Sequence, residues 1–99
     1  MITHIVLLQP KVSTTDQELT AFLERIEALR QVIPGIVAIS VGENRSNFHG
    51  GFTHGIIMRF VDEAHLQAHH THAAHVAVVK ELDRLCLQSI DFDLSETAL

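Results

Sequence analysis

Apolar side chains cover both faces of the first predicted element. Residues 2–8 are rich in β-branched and large apolar side chains, with His4 set among them. A segment that is apolar on both sides predicts a strand that is covered on both sides. Pro10 has no backbone N–H to donate, so it is expected to end the hydrogen-bonded ladder of this strand.

The next segment changes to a helical pattern. Thr15 and Glu18 have the spacing of a capping box, which predicts that a helix begins here. Apolar residues then recur at steps of three and four and form one stripe. The stripe consists of Leu19, Phe22, Leu23, Ile26, Leu29 and Ile33. Pro34 and Gly35 predict the end of this first helix.

Three further strands are predicted in the rest of the chain. Residues 36–41 and 52–60 are apolar runs on either side of a polar loop at 43–51. Residues 90–94 alternate between apolar and acidic side chains, which is typical of a strand with one face in water.

A second helix is predicted between the last two strands. Asp62 is its expected N-cap, and the helical pattern continues with some interruption to about Leu87. The apolar stripe predicted for this helix consists of Val76, Val79, Leu82 and Leu85 or Cys86.

The order β-α-β-β-α-β predicts a ferredoxin-like α+β fold, with a four-stranded antiparallel sheet and two helices on one face. Residues 1–99 form a single domain in this interpretation. The other face of the sheet includes Ile5, Leu7 and Ile57, whose burial is worth about 25 cal/mol per Å² of apolar area. A second copy of the sheet would bury it, which predicts a homodimeric α+β barrel. A monomer with an apolar sheet face is the alternative.

Composition and charge exclude several classes of partner. The formal net charge is −5, with only seven Lys and Arg and neither Trp nor Tyr. Nucleic-acid binding is therefore not expected. No stretch reaches the roughly 20 apolar residues that span a bilayer, so no membrane segment is expected. The single cysteine, Cys86, allows no internal disulfide, and the default location is cytoplasmic.

Eight histidines are the most unusual feature of the composition. His4 and His54 fall on the first and third strands, which are neighbours in a ferredoxin-like sheet, and His75 falls on the second helix. The two strand histidines are therefore expected to approach one another, with His75 above them. Such an arrangement suits general acid–base catalysis. The alternative is that each imidazole is a hydrogen-bonded residue between helix and sheet.

A metal site is a further possibility that the histidine spacing raises. On an uninterrupted helix His65, His69 and His72 share one face, as adjacent ligands of Zn²⁺ or Ni²⁺ do. No carboxylate is evident in the sequence to orient these imidazoles. No metal and no cofactor are therefore predicted.

Three motifs give the chain a family resemblance. Ile33-Pro34-Gly35, Gly51-Phe52-Thr53-His54 and His72-Ala73-Ala74-His75-Val76, together with their spacing, resemble the stress-responsive dimeric α/β-barrel (Dabb) family. The resemblance extends from residues 2–7 to residues 90–93. It implies a homodimer in which two four-stranded sheets close into a barrel.

The resemblance says less about activity. One plant member type cyclises a linear polyketide by an intramolecular aldol condensation, with a histidine as base and a tyrosine as its hydrogen-bonding partner. The base matches His75, the tyrosine matches His69, and Ala73 stands where the family usually has proline. The other histidines of that cyclase type match His4, His54 and His72.

The function that follows is a small-molecule binding protein or an acid–base enzyme of cyclase or aldol type. Its expected catalytic residues are His75, His54, His4 and His69. His75 would remove a proton next to a carbonyl, while His54 or His4 donates to the enolate oxygen. The expected ligand-binding residues are His72, Phe22, Ile26 and Val79. A non-catalytic stress-associated dimer and a metal-binding dimer are the alternatives, and the substrate is left open.

Overall fold

The computed structural model describes residues 1–96 and has the predicted ferredoxin-like α+β fold. Its antiparallel sheet has the strand order β2-β3-β1-β4. A short 3₁₀ turn follows the first helix. No helix within residues 1–96 is long and apolar enough to cross a membrane. The elements are β1 (Ile2–Pro10), α1 (Asp16–Ala28), β2 (Ile36–Glu43), β3 (His54–Phe60), α2 (Glu63–His69), α3 (Ala73–Leu85) and β4 (Cys86–Ser95).

The first helix begins where the sequence predicts, but its α-helical part ends at Ala28, and a 3₁₀ turn at Leu29–Gln31 leads on to the expected stop at Pro34 and Gly35. The hydroxyl of Thr15 accepts the N–H of Glu18, and the carboxylate of Glu18 accepts the N–H of Thr15, each at 3.1 Å. This is the predicted capping box. The chain turns toward β2 at Gly35, where φ is +86°. A Cβ built there would lie 2.5 Å from the side chain of His65, so only glycine fits this turn.

The predicted second helix is two helices, α2 and α3, separated by residues 70–72. The carboxylate of Asp62 caps α2 by accepting the N–H of His65 at 2.9 Å, as predicted. Nδ1 of His72 caps α3 by accepting the N–H of Ala74 at 3.1 Å. α3 ends at Leu85, two residues before the expected Leu87, because Cys86 already has extended backbone angles and begins β4.

The buried face of α3 differs in part from the predicted one. Val78 and Leu85 are buried and Leu82 is partly buried, whereas Val76 and Val79 are 41% and 38% exposed. Val76 and Val79 of the predicted stripe are therefore wrong, whereas Leu82 and Leu85 are confirmed. The stripe of α3 that packs against the core runs through Ala74, Val78, Leu82 and Leu85.

The two faces of the sheet differ as the pattern of β1 predicts. Its even-numbered residues from Ile2 to Leu8 are buried under the helices. On the other face Ile5 lies opposite Ile57 in β3 and opposite Phe92 in β4. Phe92 is 54% exposed. The structure therefore has an apolar sheet face that no helix covers, and we call it the open sheet face. Its exposed apolar side chains are Ile57, Ile90, Phe92 and Leu94.

Candidate functional site

Three histidines from separate elements line one small cavity between the sheet and the helices. His4 comes from the first half of β1, His69 from the last turn of α2, and His75 from the first turn of α3. The volume of the cavity is about 40 Å³. A water molecule takes up about 30 Å³ in the liquid, so the cavity has room for about one.

His4 is buried and paired with a carboxylate. Its Nδ1 lies 2.5 Å from Oδ1 of Asp93, which is opposite His4 in the β1–β4 register. An Nδ1–H that donates to a carboxylate fixes the orientation of the ring and leaves Nε2 to exchange protons. Imidazole–carboxylate pairs have this arrangement at many acid–base sites.

His69 is the most deeply buried of the three, with 1% of its surface exposed. Its Nδ1–H donates to the backbone carbonyl of Leu66, and its Nε2 has no hydrogen-bond partner among residues 1–96. The pKa of His69 falls from 6.5 to about 4, chiefly because the ring is buried; the Leu66 carbonyl opposes this shift, and nearby His75 and His70 contribute to it. The ring is therefore neutral at pH 7, with a lone pair on Nε2.

His75 has the same tautomer as His69. Its Nδ1–H donates to the backbone carbonyl of His70 at 3.1 Å, and its ring centroid lies 4.4 Å from that of His69. Burial lowers the pKa of His75, which the carbonyl of His70 partly opposes. A neutral imidazole with a free Nε2 is the form that can act as a base.

The rest of the cavity wall is apolar. Phe22 and Ile26 line it from α1, and Val79 lines it from α3. These are the three apolar residues predicted to bind a ligand. Val79 is also partly exposed. At the seam between α1 and α3, the side chain of Val79 therefore separates the cavity from solvent.

Two of the predicted site histidines lie elsewhere. In the β1–β3 register His4 is opposite Met58, whereas His54 is opposite Leu8. A separation of four positions corresponds to about 13 Å along a strand. The expected approach of His4 and His54 is therefore wrong. His54 instead shares a hydrogen bond of 2.9 Å with the hydroxyl of Thr53, and His72 is the N-cap of α3.

The helix break also separates the histidines that were predicted to share a metal-binding face. His65 and His69 are on α2, whereas His72 precedes α3, so the three do not share one helix. Nδ1 of His65 lies 2.7 Å from the carboxylate of Asp62. A different set comes together instead: one ring nitrogen each from His69, His70 and His75, all within 4.8 Å of one another.

Comparison with known proteins identifies the family. The sequence model of the stress-responsive A/B barrel domain matches residues 2–96. The chain belongs to the stress-responsive A/B barrel domain family. A search of curated protein sequences found no significant match.

Solved structures similar to this stress-responsive A/B barrel domain agree with its fold. An Arabidopsis thaliana protein has a TM-score of 0.92 at 20% identity, with 100% of this chain and 98% of that chain covered. A Jannaschia protein described as dimeric, ferredoxin-like and of unknown function has a TM-score of 0.85 at 22% identity, with 96% and 98% covered. The hydroxynitrile lyase of Passiflora edulis has a TM-score of 0.87 at 17% identity, with 99% and 96% covered. At these identities the likeness establishes the fold alone.

Sequence analysis missed two residues of the site in this stress-responsive A/B barrel domain. Asp93 was seen only as a polar residue of the last strand, and its pairing with His4 depends on the register of β1 and β4. The alternation of residues 90–94 does place Asp93 on the face opposite Ile90 and Phe92. His70 was also missed, because its position follows from the helix break.

Proposed function

We propose that this stress-responsive A/B barrel protein is a homodimeric acid–base enzyme that acts on a small carbonyl compound. The observation that carries the proposal is the placement of His4 and His75 on one apolar cavity. Each has its Nδ1 engaged, by Asp93 and by the carbonyl of His70 respectively. Both rings therefore have Nε2 available for proton transfer.

The proposed reaction begins at His75. Nε2 of His75 takes a proton from the carbon next to the substrate carbonyl, and the electron pair of the broken C–H bond moves into an enolate. Nε2–H of His4 donates a hydrogen bond to the enolate oxygen. When His4 carries both of its protons, the charge of Asp93 offsets the charge of the ring.

The role of His69 differs from that of the tyrosine it replaces in the cyclase type. A phenol offers a hydrogen-bond donor to the cavity, whereas His69 has given its Nδ1–H to Leu66 and offers only the Nε2 lone pair. His69 is therefore an acceptor for a substrate hydroxyl, and the donor in the proposed reaction is the doubly protonated form of His4, whose charge Asp93 offsets.

The size of the cavity limits the substrate. Ligand sites usually have about 300–1,000 Å³, whereas this cavity has about 40 Å³. Only the reacting group of a substrate enters unless side chains at the α1–α3 seam, such as Val79, move outward. The fold shared with a hydroxynitrile lyase allows a catalytic role.

The open sheet face supports the homodimer. Ile57, Ile90, Phe92 and Leu94 are all exposed in the single chain, and the Jannaschia protein and two further structural neighbours are described as dimeric. Pairing two copies of this face would remove a continuous apolar surface from water.

The small cavity also favours a second candidate, a non-catalytic dimer of structural function. In that case the His4–Asp93 pair only stabilises the contact between β1 and β4. The cavity would hold one water, which satisfies Nε2 of His69.

Proton exchange tests the proposal without knowledge of the substrate. Small ketones and aldehydes are incubated with the protein in D₂O, and loss of the α-proton signal is followed by NMR; hydroxynitrile cleavage is followed in parallel. We expect exchange or cleavage above buffer for at least one compound, and a loss of about 10²-fold or more in His75→Gln and His4→Gln. His49→Gln, in the exposed loop, is the matched control. Equal rates for wild type and His75→Gln on every compound would leave the structural dimer as the function.

A further inference from the structure

The break between α2 and α3 gathers three imidazoles in a short stretch of chain. His69 is the last residue of α2, His70 is its C-cap, and His75 lies in the first turn of α3. Their ring centroids are 4.4 Å apart for His69 and His70, 4.4 Å for His69 and His75, and 5.7 Å for His70 and His75. They form a triangle, which we call the histidine triangle.

Two rings of the histidine triangle, those of His69 and His75, have the tautomer of a metal ligand. Metal-bound histidines almost always donate the other ring N–H to a carbonyl or carboxylate, which fixes the ring and leaves the lone pair toward the metal. His69 donates to the carbonyl of Leu66, and His75 donates to the carbonyl of His70. The hydrogen bonds that orient a metal-binding histidine are therefore present in His69 and His75 before any metal ion is bound.

The unpartnered Nε2 of His69 is an independent observation. A buried polar atom without a partner is unusual in a folded protein and costs free energy. This nitrogen is buried, and no atom of residues 1–96 donates a hydrogen bond to it. An external ligand that accepts the lone pair would remove this cost.

We propose that the histidine triangle binds one divalent transition-metal ion, Zn²⁺ or a similar ion, through a ring nitrogen of each of His69, His70 and His75. Imidazole nitrogens suit Zn²⁺, Cu²⁺ and Ni²⁺, and three of them leave a fourth position open for water or an anion. The nitrogens lie within 4.8 Å of one another, whereas tetrahedral Zn²⁺ sets its nitrogen ligands about 3.3 Å apart. His70 is exposed, so its ring has room to turn inward and close the set.

The surroundings favour a soft cation over a hard one. The charge of Asp91 acts on His75, so an added positive charge there is partly offset. The three ligand side chains themselves contribute nitrogen only, and Mg²⁺ and Ca²⁺ prefer oxygen ligands. We therefore expect Zn²⁺ to bind and Mg²⁺ not to.

This inference does not rest on the proposed reaction, because metal binding is measured without substrate. The two are linked at one atom. Zn²⁺ on Nε2 of His75 would occupy the lone pair that takes the proton in the proposed reaction. His4→Gln separates them, since it removes an acid–base group and leaves every ligand of the histidine triangle in place.

Calorimetric titration with Zn²⁺ tests the site on protein from which any affinity tag has been removed. We expect one ion per chain, and at least about a tenfold loss of affinity in His70→Ala, since even residues that only orient ligands change affinity by 10–100-fold. His65→Ala is the matched control, because His65 is a partly exposed α2 histidine outside the triangle. His70→Cys keeps a zinc ligand and should retain binding.

The following outcomes would contradict the proposed metal site. A loss of affinity in His65→Ala but not in His70→Ala would place any bound ion on the α2 face instead. Equal affinities in wild type and His70→Ala, or no binding of Zn²⁺ to wild type, would mean that the ligand of His69 Nε2 is a buried water and not a metal ion. Four-coordinate Co²⁺ gives intense visible bands, and their absence from the Co²⁺-loaded protein would exclude the tetrahedral site.

Discussion

The buried imidazole of His69 makes a specific prediction for stability against pH. Burial lowers its pKa from 6.5 in the unfolded chain to about 4 in the folded protein. Between these values the unfolded chain binds a proton that the folded protein does not, so acid favours unfolding. The contribution of neutral His69 to stability is intact above pH 6.5 and is lost progressively as the pH falls toward 4.

The size of this effect follows from the shift. One pKa unit corresponds to about 1.4 kcal/mol, so the full shift is worth about 3 kcal/mol, and about 2 kcal/mol is lost between pH 7.5 and pH 5. That is a large part of the 5–15 kcal/mol that stabilises a typical domain. Burial lowers the pKa of His75 in the same direction and adds to the loss.

Urea unfolding at pH 7.5, 6.5, 5.5 and 5.0 measures this slope, with a chelator present and at one protein concentration. Readings stop at pH 5 because hydrogen bonds and ion pairs lower the pKa values of the Glu18, Glu81 and Glu96 carboxyls, which adds a separate loss of stability in more acidic solution. In His69→Leu the loss of stability between pH 7.5 and 5 should shrink by about 2 kcal/mol. His49→Gln removes an exposed histidine and should keep the wild-type slope. An unchanged slope in His69→Leu would show that His69 is not buried as described.

Two further predictions concern the open sheet face and the helical core. Phe92→Glu should convert the proposed dimer to a monomer of 11.0 kDa, measured by light scattering, because it places a charge in the proposed interface. Val12→Glu changes a fully exposed position and should remain dimeric. A dimeric Phe92→Glu would contradict the use of the open sheet face. Val78→Ala should lower the free energy of unfolding by about 1–3 kcal/mol, and Val76→Ala by less than about 0.5 kcal/mol. A larger loss in Val76→Ala than in Val78→Ala would show that the sequence-predicted stripe is the buried one, and equal losses would contradict the difference in burial.

The fold was predictable where the information is local. The capping box of Thr15 and Glu18 and the parity of β1 are each read from a few neighbouring residues, and the structure has both. A strand alternates its faces whatever its partners are. The face that includes Ile5 and Ile57 could therefore be assigned before the strand pairing was known.

The site was predictable only in part, because its geometry depends on pairing between distant segments. Asp93 meets His4 through the β1–β4 register, and the β1–β3 register separates His54 from His4. A shift of two residues would preserve every hydrophobic pattern, yet in the β1–β4 register it would separate Asp93 from His4, and in the β1–β3 register it would change the distance between His4 and His54. Residue type identified His4 and His75 as candidates, but it could not determine their partners.

At the break at residues 70–72, a side-chain cap does what a proline usually does in this family. Proline favours the first position of a helix and forces the residue before it into an extended conformation. Ala73 occupies that first position in α3, where the family resemblance implies proline, and a looser bend would be the simple consequence. His72 nevertheless has φ −65° and ψ 134°, the conformation that a following proline would require. Its Nδ1 holds that conformation by accepting the N–H of Ala74. The cap therefore preserves the break, and the break is what brings His69, His70 and His75 together.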